Sequence, residues 1–180
     1  MKSKALQITQ TGVFIALLLL TQILTAPISN PLITGTLVNL LLIMAVVGLG
    51  LSAGITIAAL SPVLAKFLGI GPLWSLVPFI VLGNLSLLLV WHFIGARGTK
   101  RKLARYSIAC GAAAVAKCLV LYLGVVKLAI PCLLKLSGPQ ADILSVMFSI
   151  PQLVTALLGG VLAMGLLPLA QRALKGGAKG

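Results

Sequence analysis

The stretch "VLGNLSLLLVWHFIGARGTKRKLARYSIACGAAAVAKCLVLYLGVV", residues 81–126, decides the fold. Two long apolar runs flank a short loop. Five basic residues, Arg97, Lys100, Arg101, Lys102 and Arg105, crowd into that loop. About 20 mostly apolar residues cross a bilayer as a helix, and each flanking run is of that kind.

The whole chain has the same pattern. Its 180 residues are 60% hydrophobic and 8% charged, with a mean hydropathy of +1.20. A soluble domain carries about 25% charged residues, so this chain cannot cover a water-facing surface. The expected fold is an all-α integral membrane protein. The net charge of +13 does not point to nucleic acid. Its basic residues sit in short loops and tails, with no basic face and no interleaved aromatics. They are topology signals and phospholipid contacts.

Working outward from the basic loop, six spans are expected, at about 8–26, 32–47, 52–68, 74–95, 106–130 and 151–170. They form a single membrane domain over 1–180. The first ends at "APISNP" (26–31), where two prolines stop a helix. "GLGLSAG" and "GIGPLW" make tight turns, and the third span is short and contains Pro62. Pro151 divides the long last segment into a short outer piece and a span. The N-terminal "MKSKALQITQTGVFIALLLLTQILTAP" resembles a signal peptide. Proline directly after Ala26 is poorly suited to cleavage, so it reads as a retained span. The tail 175–180 reads as disordered.

Six spans put both termini on one side. Ten basic residues then share that side: Lys2, Lys4, the five of loop 96–105, Arg172, Lys175 and Lys179. Only Lys66, Lys127 and Lys135 fall opposite. The bias makes the loop and both termini cytoplasmic.

The same composition excludes most chemistry. Asp142 is the single acid and His92 the single histidine. Paired carboxylates and a carboxylate-bound magnesium site are therefore impossible. His92 and Asp142 are expected about a membrane thickness apart, roughly 30 Å, so no Ser–His–Asp set forms. Trp91 and His92 read as interfacial anchors, and Trp74 as a belt residue. Cys110, Cys118 and Cys132 have no metal spacing and read as packing residues. An enzyme, a metal or a cofactor is not expected. Proton coupling usually needs intramembrane carboxylates, and no phosphate-binding GxxxxGK[ST] motif occurs. Any uphill transport needs energy from another protein.

Lys117 is the most informative residue. Near the middle of the fifth span it costs about 2.5–3.5 kcal/mol to insert. Ala113, Ala114, Val120 and Leu121 surround it at helical spacing, with Cys110 and Gly124 a turn further out. Val115, Leu119, Tyr122 and Val126 form the opposite, bulkier face. Small faces meet helices and bulky ones meet lipid, so Lys117 points into the bundle. It is either a cation for a ligand or a structural lysine bonded to carbonyls or snorkelling. Asn39, Asn84, Gln152 and Thr155 are the other buried polar candidates, each a ligand contact or interhelical glue. Lys127 and Lys135, near the outer mouth, either attract an anion or pair with Asp142 and headgroups. Small residues four apart recur at Gly12 and Ala16, at Ala156 and Gly160, and at Gly159 and Ala163.

With six short spans, both ends inside and no energy source, the chain resembles the S components of energy-coupling factor (ECF) transporters. "TGTLVNLLLIMAVVGLGLSAG", "PLWSLVPFIVLGNLSLLL" and "IPQLVTALLGGVLA" carry the resemblance, which covers most of residues 8–170. It implies a substrate-binding subunit in a prokaryotic plasma membrane. That subunit captures a vitamin or related micronutrient outside and delivers it with a T component and two ABC ATPase subunits. The resemblance implies docking on the T component through Gly12 and Ala16, with glycine where the family has alanine. It also implies a ligand in the outer half of the bundle, at Asn84, Lys117, Gln152, Thr155 and, in the "APISNP" loop, Asn30. The alternative is a non-transport assembly factor or a small self-contained facilitator. A cationic vitamin would want carboxylates or an aromatic cage, which the fourth to sixth spans lack. An anionic or neutral ligand is expected, with pantothenate the first guess.

Overall fold

A computed structural model of the chain describes residues 4–28, 30–71, 73–95 and 102–176. Most of the basic loop, 96–101, and the end of the tail, 177–180, lie outside the described residues. Among the described residues the fold is all-α. Its helices are α1 (Lys4–Thr25), α2 (Pro31–Leu49), α3 (Leu51–Phe67), α4 (Val77–Val90), α5 (Lys102–Leu121), α6 (Pro139–Met147) and α7 (Ile150–Gly176). Among the described residues, five helical segments are long and apolar enough to cross a membrane: Lys4–Ile28, Pro31–Leu49, Trp74–Gly95, Leu103–Leu134 and Pro139–Leu169. Leu51–Phe67 is apolar but shorter.

Local chemistry sets the breaks. Asn30 caps α2, its side chain accepting from the Leu32 N–H at 3.0 Å. Pro31 comes next, at the first helical position, where its missing N–H costs nothing. Gly50, at φ 99°, turns the chain from α2 into α3 within one residue. Pro139 and Pro151 sit in the first turns of α6 and α7 in the same way. Pro62 instead lies inside α3, where it removes a backbone donor.

Two helices change their winding. Trp91–Gly95 continues α4 as a π-helical turn, and Tyr122–Leu134 continues α5 as a 13-residue π-helix. π-Helices are usually single turns. This one runs past residue 130, the expected end of the fifth span. It closes at Lys135, in the left-handed region at φ 47°, and the Leu136 N–H bonds the Ile130 carbonyl at 3.1 Å.

α2 and α7 form the most extensive helix pair. Gly159 makes this possible: a Cβ there would lie 2.8 Å from the Thr36 carbonyl oxygen and 2.9 Å from the Leu40 nitrogen. Only glycine lets the two backbones approach so closely.

The apolar side chains fall into two cores. The larger is built on Leu18, Leu42, Ile43, Ile57, Leu87, Trp91, Ala113, Ala114 and Ala156. The smaller gathers Leu76, Leu121, Val125, Ala129, Ile130 and Phe148, with Met147 packed against it. Along α5, Lys117 lies between Ala114 of the first core and Leu121 of the second. Along α4, Asn84 lies between Ile80, which packs on the second core, and the first core's Leu87. Gln152 and Thr155 of α7 come after the second core's Phe148, at the end of α6, and before the first core's Ala156. A polar layer thus separates the cores at one level.

Candidate functional site

The polar layer is built on Lys117. This lysine is 5% exposed, and its Nζ donates to Asn39 Oδ1 at 2.6 Å and Asn84 Oδ1 at 2.8 Å. Asn39 Nδ2 in turn donates to Thr155 Oγ1 at 3.3 Å. Thr155 Oγ1 donates to the Gln152 carbonyl at 3.2 Å. One chain of hydrogen bonds therefore joins α5, α4, α2 and α7. An ammonium can only donate, so both asparagines must turn their oxygens to Lys117. The inward aim of Lys117 matches its surroundings. Ala113 and Ala114 are fully buried, whereas Val115 and Leu119 are about half exposed.

A cavity of about 170 Å³ opens beside this layer. Asn84, Lys117 and Gln152 line it, with Ile80 and Leu121 as apolar wall. Met147 and Phe148, at the α6–α7 junction, close another side. Gln22 of α1, Gly35 and Val38 of α2, and Ser61 and Pro62 of α3 complete it. Gln22 Nε2 donates to the Leu18 carbonyl at 3.3 Å, and Gln152 Nε2 to the Met147 carbonyl at 3.1 Å. Every helix contributes a wall residue, α6 through Met147 in its last turn.

Of the expected contacts, Asn84, Lys117 and Gln152 meet at the cavity. Thr155 stands behind them and reaches Lys117 through Asn39. Asn30 is exposed and its side chain caps α2. Gln22 and Ser61 are wall residues that the sequence does not single out. Their only signal is a lone polar side chain in an apolar run, which any bundle contains. Gly35 is invisible in the sequence as well: a Cβ there would meet the Thr155 side chain at 2.9 Å.

The end expected to form the outer mouth is less organised. Lys127 is exposed, and its ammonium lies 5.5 Å from the Tyr122 ring centroid. Neither it nor Lys135 forms an ion pair with Asp142 among the described residues. Trp74 is about half exposed and meets Phe67 edge-on at 4.9 Å. Trp91 is not an interfacial anchor. It is fully buried, with Tyr106 at 5.7 Å between ring centroids, because Gly95 and Gly160 leave room for its ring.

Gly12 and Ala16 lie on an exposed face of α1. A Cβ at Gly12 would meet nothing within 4 Å. The other small pairs are used inside the bundle: Ala156 and Ala163 are buried, and Gly160 packs on Cys110. A cleft of about 550 Å³ runs beside Gly12 between α1 and α3. No group of three or more His, Cys, Asp or Glu side chains able to hold a metal occurs among the described residues.

Residues 6–170 match the family model described as "ECF transporter, substrate-specific component". No curated protein and no solved structure matches the chain.

Proposed function

The chain belongs to the substrate-specific components of ECF transporters, and from that premise we propose that the cavity beside Lys117 is where it captures its micronutrient. Members are non-catalytic, multi-pass membrane subunits with a transport role. In our reading, the single domain of this member crosses a prokaryotic plasma membrane six times, with both termini in the cytoplasm. The shorter helix α3 counts as a span because it packs on α1, α2 and α4 inside the bundle.

One observation carries the proposal. A lysine and two asparagines, each at least 95% buried, converge beside a cavity between helices. Intramembrane ionisable groups are functional by default, and ligand sites combine an apolar wall with a few placed polar groups. Asn84, Lys117 and Gln152 contact the ligand, while Thr155 and Asn39 hold Lys117 in place. The ligand is anionic or neutral, and pantothenate is our first candidate. At about 170 Å³ the cavity is below the roughly 300–1,000 Å³ of drug-sized sites, which favours a small micronutrient.

Gly12 and Ala16 dock on a T component, which recruits two ABC ATPase subunits. The open face around Gly12 supports this, since every other small pair is already covered. Co-expression with T component and ATPases in vesicles tests the proposal. ATP-dependent uptake of pantothenate, or of another small vitamin, is the expected result. A complex that assembles and hydrolyses ATP but moves none of them contradicts it.

A further inference from the structure

Resting on this capture reading, we propose that Lys117 and Asn84 form a two-donor fork that selects a monocarboxylate, and that the amide oxygens of Gln22 and Gln152 read hydroxyl or amide N–H groups on the same ligand.

The direction of each hydrogen bond leads there. An ammonium has three N–H donors. Two go to Asn39 and Asn84, which leaves one proton on a side chain lining the cavity. Asn84 must give its oxygen to Lys117, so its Nδ2 group, with two donors, points elsewhere. Among the described residues nothing accepts from it, although Asn84 is 98% buried, being 2% exposed. Asn39 differs: one of its two Nδ2 donors goes to Thr155, and it does not line the cavity. On the cavity wall, the buried side chains with unmatched nitrogen donors are Lys117 and Asn84, joined by the 2.8 Å bond from Lys117 Nζ to Asn84 Oδ1. A carboxylate offers two acceptor oxygens and one negative charge, which answers both donors and the ammonium together. No carboxylate of the chain lines the cavity.

The glutamines add acceptors. Both nitrogens donate to backbone carbonyls, of Leu18 and Met147. A carbonyl only accepts, so these orientations are forced, and each side chain keeps its Oε1 as an acceptor beside one remaining N–H. Ser61, 2% exposed and also on the wall, adds a hydroxyl that can do either. The cavity thus has a donor end and acceptor groups elsewhere. A monocarboxylate carrying hydroxyl or amide N–H groups fits that arrangement.

The test is a set of matched pairs bound to the purified full-length chain in detergent by calorimetry. Pantothenate is paired with its alcohol analogue, biotin with biotinamide, and nicotinate with nicotinamide. In any pair that binds, the carboxylate is expected to bind at least about 30-fold more tightly, the lower end for a buried charge contact. Asn84→Asp keeps an oxygen for Lys117 but replaces the free donor with negative charge. It should abolish the within-pair preference for the carboxylate. Equal affinity within a pair overturns the fork, and that comparison needs no variant to fold. So does a carboxylate that binds Asn84→Asp as tightly as the native protein, or a native ligand with no carboxylate, and both leave capture intact. If no member binds and mass spectrometry finds no small molecule in the preparation, capture itself fails, and the fork with it.

Discussion

Lys117 and Asn39 are 78 residues apart in the chain and 2.6 Å apart in space. The contact ties α5 to α2 at the level where the two apolar cores separate. Replacing Lys117 with methionine keeps the length and removes the charge. Binding of the ligand should weaken by roughly 2–5 kcal/mol, the range for breaking a buried charge pair. The oxygens of Asn39 and Asn84 would lose their donor, so the ligand-free protein should also lose about 1–3 kcal/mol of stability. Calorimetry and thermal unfolding in detergent read the two effects separately. Unchanged affinity would make Lys117 purely structural.

Much of this arrangement can be read in the sequence. The apolar runs and the basic loop suffice for a membrane-embedded all-α chain. The inward aim of Lys117 comes from helical spacing, because Ala113 and Ala114 share its face while Val115 and Leu119 do not. The pairing with Asn39 is another matter. No periodicity relates a position on α2 to one on α5, so Asn39 reads only as a polar residue in an apolar run. The π-helix at 122–134 is equally silent, since "YLGVVKLAIPCLL" has the same composition in either winding. Packing around it is tight: a Cβ at Gly124 would strike Phe79, and one at Gly83 would strike Leu121.

Gly159 should be irreplaceable in a way that Gly165 is not. A methyl group at Gly159 would push α7 off the α2 backbone and stretch the Asn39–Thr155 bond. Gly159→Ala should cost about 1–3 kcal/mol, as overpacking does. A Cβ at Gly165 meets nothing within 4 Å, so Gly165→Ala should change stability by about 1 kcal/mol or less. Thermal unfolding of the two variants side by side checks the contrast. Equal losses would mean that the close approach of α2 and α7 is not what Gly159 provides.

The exposed face of α1 should matter only for assembly. Gly12→Leu together with Ala16→Leu fills a surface that lies open on the chain itself. Co-purification with a T component should be lost, while ligand affinity stays within about threefold of the native value, which is under 1 kcal/mol. Assembly that survives the double change would remove this face from the docking surface.

Topology has its own check. With the loop in the cytoplasm, a cysteine replacing Thr99, in a background lacking the three native cysteines, should be labelled by an impermeant reagent only after the membrane is opened. Labelling in intact cells would place the loop, and both termini with it, outside.

The most direct measurement of the central claim is mass spectrometry of small molecules carried by the purified chain, native beside Lys117→Met. A single micronutrient-sized compound near one per chain in the native protein, and depleted in the variant, is the predicted result. The same compound retained equally by both proteins would contradict a capture site built on Lys117.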